Sequence, residues 1–304
     1  NTLWQAAHDL TGDAAIASCM TGTPHPLARV RLHYTTIPTS AARTAYARVF
    51  ESILGRPHST AGNGQLRDST GDTSVGARLC PTPEAVRSLF VRLKHDIEAT
   101  HAPLDRAEFI THHNLVTLHV VLHFAYATTC RAVVTPYLAP SEIDCDRQLA
   151  TLSDKDDETQ HKTRLIWIPR PLLDTMLLYE AHLDSLKAQM PGLPRTFAEA
   201  PCFFLDENMK PLAVRPKTLE PRLQPYLNVR ANTHRRFLRS ELLLRGCNPE
   251  VVDAFMGHWH AGEEPFSPYS SFSFASYTRE LRIHLEPLLA EIGLDRPIAG
   301  RLAR

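Results

Sequence analysis

The chain is poor in the features that announce the commonest function classes. Its 304 residues hold only 13 glycines, and none falls in a G-x-G-x-x-G turn or a G-x-x-x-x-G-K-[ST] loop. A dinucleotide-binding fold and a P-loop nucleotide hydrolase are therefore disfavoured. Six cysteines (Cys19, Cys80, Cys130, Cys145, Cys202 and Cys247) are scattered with no C-x-x-C pair. That favours free thiols in a reducing compartment over a disulfide framework. No sign of charge is in surplus, since 33 Lys and Arg balance 33 Asp and Glu. A highly basic packaging protein is excluded, but a nucleic-acid enzyme with its charge gathered on one face is not. The longest apolar stretch, Leu115 to Ala127, is broken by His119 and His123 and is too short to span a bilayer. No charged-then-apolar leader opens the chain, which begins at Asn1 rather than Met, as a piece of a longer protein would.

What is present suits a folded, many-cornered protein. Hydrophobic residues make up 43% and prolines number 23, enough for a sizeable core with frequent fixed turns. The length suits two domains, or one large domain with a decorated end. In the first eighty residues, Leu27 to Tyr34 alternates apolar with basic residues or His and predicts a strand; Ala41 to Leu54 predicts a helix. Gly55 to Pro81 is rich in Gly, Ser, Thr, Asp and Asn and reads as a linker, which sets a boundary between residues 1–80 and 81–304. Thr82-Pro83-Glu84 then starts a helix that should run to about Ala99. A second helix is expected over Arg106 to Thr128, strands over Leu149 to Ser153 and Thr163 to Ile168, and a helix over Pro171 to Gln189. From Thr233 to Leu294 the chain is mostly helical, ending in a helix from Ser273 to Leu289. The fold class expected is α+β, mainly helical with a small antiparallel β-sheet.

Net neutrality hides a segregation. Between Arg215 and Gly246 stand eight basic residues (Arg215, Lys217, Arg222, Arg230, Arg235, Arg236, Arg239 and Arg245) against Glu220 and Glu241. Such an excess is the footprint of a phosphate-binding surface, though a solvated helix face would carry it as well. Within it, Asn232-Thr233-His234-Arg235 opens a helix that stops at Gly246; a second helix starts at Asn248-Pro249-Glu250 and stops at Gly257-His258. This stretch resembles the tyrosine recombinase (phage integrase) family, whose pattern is H-x-x-R, a helix with a terminal Gly, a second helix, then L-G-H. Two further pieces fit the order. Thr128-Thr129-Cys130-Arg131 closes the long apolar helix, and Lys155 follows twenty-four residues later in a charged turn between the two expected strands. The resemblance spans about residues 82 to 290.

The resemblance implies a catalytic domain over residues 81–304, with residues 1–80 an N-terminal segment and linker or the remnant of a DNA-clamping domain. It implies a site-specific recombinase or integrase of a mobile element or phage, DNA-associated in a bacterial cytoplasm. Such an enzyme acts on double-stranded DNA as a homotetramer, with no membrane, cofactor or metal. Arg131 and Arg235 would clamp the scissile phosphate, His258 would add a hydrogen bond, and Lys155 would protonate the leaving oxygen. Arg215, Lys217, Arg230, Arg236 and Arg239 would bind DNA. The nucleophile would be Tyr269, eleven residues past His258, with Tyr277, nineteen past it, as the other candidate. One departure stands out: the family histidine that accepts the tyrosine proton is Asn232 here. Asparagine cannot act as a base near neutral pH; either it is tolerated, or His234 substitutes, or the protein is slow or inactive.

Two other readings compete. His119 and His123 are spaced i, i+4, with His112 and His113 upstream, but HVVLH lacks the glutamate of a zinc hydrolase, so packing into the core or against DNA is the simpler reading. The second is a catalytically impaired DNA-binding or architectural protein on the recombinase scaffold. Asn232 and the long interval from His258 to Tyr269 favour it.

Overall fold

The computed structural model describes residues 2–55, 73–100, 105–132, 137–153, 163–188, 190, 192, 194–198, 200–259 and 264–298. The N-terminal part runs α1 (Thr2–Thr11), α2 (Ala14–Thr21), α3 (Arg29–Leu32), β1 (Thr36–Pro38), α4 (Thr39–Leu54) and β2 (Ser74–Gly76). Asp13 starts α2 by accepting the amides of Ala15 at 2.8 Å and Ile16 at 2.9 Å, the ordinary duty of a helix-capping aspartate. This part has two small alanine-rich cores of its own, Ala7–Ala17–Val49 and Ala14–Ala15–Ala28.

The remainder runs α5 (Pro83–Ala99), α6 (Arg106–Thr128), β3 (Leu149–Leu152), β4 (Arg164–Trp167), α7 (Arg170–Ala188), α8 (Arg195–Ala198), β5 (Phe203–Leu205), β6 (Pro211–Ala213), α9 (Pro216–Leu223), α10 (Thr233–Leu244), α11 (Pro249–Met256) and α12 (Phe274–Glu291). The fold is mainly helical with small antiparallel sheets, as expected: among the described residues β1–β2, β3–β4 and β5–β6 are three separate two-stranded ladders. Helix α6 is the axis of the core. Capped by Asp105 and buried on nearly every side from Val116 to Thr128, it ends where Thr129 turns left-handed at φ 57°. A helix apolar all round has to lie inside, and α5, α7, β5 and α10 pack around it. Its histidines point into that core. His123 Nδ1 lies 3.1 Å from Thr175 Oγ1, and His113 meets His182 at 3.0 Å and the Phe203 carbonyl at 2.9 Å.

Two expectations need correction. Residues 27 to 34 are not a strand: His25 caps a turn beginning at Pro26, and α3 follows it. The apolar–basic alternation over eight residues fits a short helical turn equally well, and the proline cap decides between them. The presumed linker contains β2, which pairs with β1 in the register Ile37↔Val75; residues 56–72 lie outside the described residues.

Candidate active site

Three segments far apart in sequence meet around one guanidinium. Arg235, on the first turn of α10, is wholly buried. Its Nη2 donates to the Met256 carbonyl at 2.7 Å and to His258 Nε2 at 3.2 Å, and its Nη1 donates to the Thr129 carbonyl. The Thr128–Thr129 turn thus carries Arg131 to the same place as the Gly257–His258 turn that ends α11. Gly257 supports this turn with φ 69°, a backbone that other residues adopt only at a cost. Thr129 Oγ1 also donates to the Phe255 carbonyl at 2.8 Å.

The protonation of His258 follows from its neighbours. Burial, and then the positive charges of Arg235, Arg239, Arg131 and Arg164, hold its pKa well below the ordinary histidine value, so the ring is neutral. Arginine can only donate, so the Nε2 facing Arg235 is the acceptor and the proton sits on Nδ1. That Nδ1 is buried and has no hydrogen-bond partner among the described residues. The Tyr34 ring covers the pair, its centroid 4.9 Å from the His258 ring and 5.1 Å from the Arg235 guanidinium carbon.

Asn232 is placed by its backbone. It caps α10 in the left-handed region at φ 69°, a conformation asparagine tolerates well. Its Oδ1 accepts the Ala132 amide at 2.9 Å, and His234 Nε2 lies 2.8 Å from the Cys130 carbonyl. Both side chains therefore hold the turn that carries Arg131. Arg131 itself is half-buried beyond the end of α6. The two tyrosines differ sharply. Tyr269 is 99% exposed on the segment between α11 and α12. Tyr277 is buried in α12 among Phe266, Phe272 and Phe274, its hydroxyl has no hydrogen-bond partner among the described residues, and burial raises its pKa. A cleft of about 580 Å³ runs from His258 and Trp259 to Ser270 and Ser271, just past Tyr269. Lys155 lies outside the described residues, although β3 and β4 pair antiparallel on either side of its segment, Ala150 opposite Ile166.

No protein-family model matches the chain, and no curated protein matches it in sequence. Among solved structures it is similar to the crystal structure of XerA recombinase, with 12% identity and a TM-score of 0.38 over 93% of this chain and 89% of that one. It is also similar to the Tn1549 transposon integrase in complex with circular intermediate DNA, with 13% identity and a TM-score of 0.40 over 92% of this chain and 98% of that one. A likeness this distant says nothing about which residues react.

The basic residues expected on a DNA surface divide. Arg215, Lys217 and Arg230 are exposed, and Arg236 is half-buried and donates to the Arg78 carbonyl at 2.8 Å. Arg239 corrects the expectation. It is fully buried, pairs with Asp13 through Nη2 and with Asp253 at 2.6 Å through Nη1, and donates from Nε to Thr35 Oγ1 at 2.9 Å. A guanidinium spent on two carboxylates faces no phosphate. Asp253 also takes Arg31 at 2.8 Å, so this network joins the N-terminal part to α10 and α11. Residues the sequence did not single out thus border the site: Tyr34 over the clamp, the Asp13–Asp253 pair behind it, and Arg164 beside Gly257. Only Arg164 carried a signal, as a charged residue in the same strand phase as buried Ile166.

Proposed function

We propose that the chain is a site-specific DNA recombinase of the tyrosine type, which cuts and rejoins double-stranded DNA through a 3′-phosphotyrosyl link. The observation that carries this reading is the Arg235–His258 pair: a buried guanidinium hydrogen-bonded to a neutral imidazole whose Nδ1–H has no partner among the described residues, on the turn next to Arg131. Such a group of preorganised donors suits the charge that builds on non-bridging phosphate oxygens, and losing one donor typically costs about 3–4 kcal/mol. In this reading the Tyr269 oxygen attacks phosphorus, the bond to the 5′ oxygen breaks, and Lys155 protonates that oxygen as it leaves. The reverse attack by another strand's 5′ hydroxyl reseals the DNA. Tyr269 is preferred to Tyr277 because it alone is accessible. Tyr34 has to move aside for a phosphate to reach Arg235. The exposed Arg215, Lys217 and Arg230 supply backbone contacts. The working form is a homotetramer on two duplexes, serving a bacterial mobile element or phage.

A library of random-sequence duplexes with 5′-bridging phosphorothiolates tests this, because the thiol that leaves reseals poorly and the adduct accumulates. The expected result is a nucleotide-bearing Tyr269 peptide by mass spectrometry, absent in Arg235→Ala. The second reading, a DNA-binding protein without strand cleavage, is favoured by Asn232, whose carbonyl oxygen is committed to Ala132. Retention of DNA with no tyrosine adduct would establish that reading and sink the first.

A further inference from the structure

Arg164 opens β4, the strand that returns from the segment containing Lys155, and sits opposite Leu152 in the ladder. Only 3% of it is exposed. Burying a guanidinium is costly unless its donors are used, and one arm of this one is spent on the site. Nη2 donates to the Thr128 carbonyl at 3.1 Å and to Thr129 Oγ1 at 3.4 Å. Nη1 and Cδ press against Gly257 so closely that a Cβ there would lie 3.2 and 3.5 Å from them. Arg235 grips the same two turns, through the carbonyls of Thr129 and Met256.

We propose that Arg164 is a positioning residue of the recombinase site read above: it locks the turn carrying Arg131 against the turn carrying His258, and registers the β3–β4 hairpin to both. The planar, forked guanidinium is what the task needs. It spans two segments at fixed angles while its charge adds to the field at His258 and Tyr277. A lysine in its place can donate to the Thr128–Thr129 turn but lacks the second arm that lies against Gly257. Gly257 then has two reasons to be glycine, its positive φ and the guanidinium lying against it.

The test compares wild type, Arg164→Met and Arg164→Lys in two measurements. The first is amide hydrogen exchange over residues 128–132 and 255–259. Arg164→Met is expected to speed exchange in both turns and leave the remainder of α5 and α6 protected, with Arg164→Lys intermediate. The second is single-turnover adduct formation on the phosphorothiolate library. A misplacement of about 1 Å at a reacting site costs on the order of a hundredfold, so Arg164→Met should slow the rate by roughly that factor with DNA affinity nearly unchanged, and Arg164→Lys should recover part of it. Unchanged exchange in the two turns overturns the lock. Faster exchange throughout the chain, with affinity and rate lost together, overturns it in favour of a merely structural arginine. If wild type itself forms no adduct, the recombinase reading falls, and the exchange measurement still decides whether Arg164 locks the two turns.

Discussion

Replacing Asp13 should be among the most destabilising single changes in the N-terminal part of the chain. Its carboxylate does two things at once. Oδ1 accepts the amides of Ala15 and Ile16, and Oδ2 takes the Arg239 guanidinium, with both side chains fully buried. Losing a helix cap costs about 1 kcal/mol. Removing one partner of a buried pair costs roughly 3–5 kcal/mol because the other charge is left uncompensated. Asp253 stays on Arg239 at 2.6 Å and Thr35 Oγ1 at 2.9 Å, so the low end applies, and Asp13→Ala is expected to cost about 4 kcal/mol in total. Arg239→Met should cost less, because Asp13 keeps its two amides and Asp253 keeps Arg31 at 2.8 Å. The double variant should be more stable than the sum of the singles predicts, since the second change removes the orphan left by the first. Urea unfolding followed by circular dichroism measures all three. A cost below about 1 kcal/mol for Asp13→Ala, or strict additivity in the cycle, would refute the argument that this network ties the N-terminal helices to α10 and α11.

Acid should destabilise the core through its histidines. Burial first, then the charge of His182 at His113 and of Lys94 at His123, hold both pKa values at about 3. A group whose folded pKa is lowered contributes stability above its unfolded value, near 6.5, and loses that contribution as pH falls toward 3. Each should cost about 2 kcal/mol at pH 5 relative to neutral pH. A urea midpoint that does not fall between pH 7.5 and pH 5, or a slope that His123→Gln leaves unaltered, would contradict this. Tyr34 should govern access to the clamp. Tyr34→Ala is expected to speed diethyl pyrocarbonate modification of His258 several-fold, mapped by mass spectrometry, and an unchanged rate would mean that the ring is not the cover.

Much of the helical scaffold was legible because its signals are local. Thr82-Pro83-Glu84 starts α5, and the apolar run from Leu115 explains why α6 is buried on all sides. The spacing from Arg235 to Gly246, Gly257 and His258 carries a family resemblance, and that resemblance implies the meeting of Arg235 and His258 that the structure has at 3.2 Å. What was not legible depends on distant partners. Strand β1 has three residues and exists because Val75 lies opposite Ile37. Likewise β5 is pinned by Asn114, whose side-chain amide donates to the Leu205 carbonyl and accepts the Leu205 N–H. Arg239 was misread for the same reason. A count of arginines along a segment cannot tell a solvated face from a buried one, and the residues that draw Arg239 inward are Asp253 and, 226 positions away, Asp13.

Asn232 is the position where the site departs most from the resemblance, and its geometry limits what the departure can mean. Its oxygen is committed to the Ala132 amide and its φ is positive, so it shapes the turn of Arg131 rather than handling a proton. The contacts of the neighbouring histidines oppose their use as the base. The accepting nitrogen of His258 is taken by Arg235, and four arginines oppose its protonation. His234 directs Nε2 at a carbonyl, which obliges that nitrogen to carry the proton. A positioned general base contributes typically about 10²–10⁴-fold to a rate. A strand transferase built this way keeps its means of stabilising charge on the phosphate and gives up a factor of that size in activating its tyrosine. In the proposed recombinase the consequence is a slow first step, with Tyr269 losing its proton to solvent at a position that is 99% exposed, and by microscopic reversibility a slow resealing as well, because the departing Tyr269 oxygen has to regain a proton without that group.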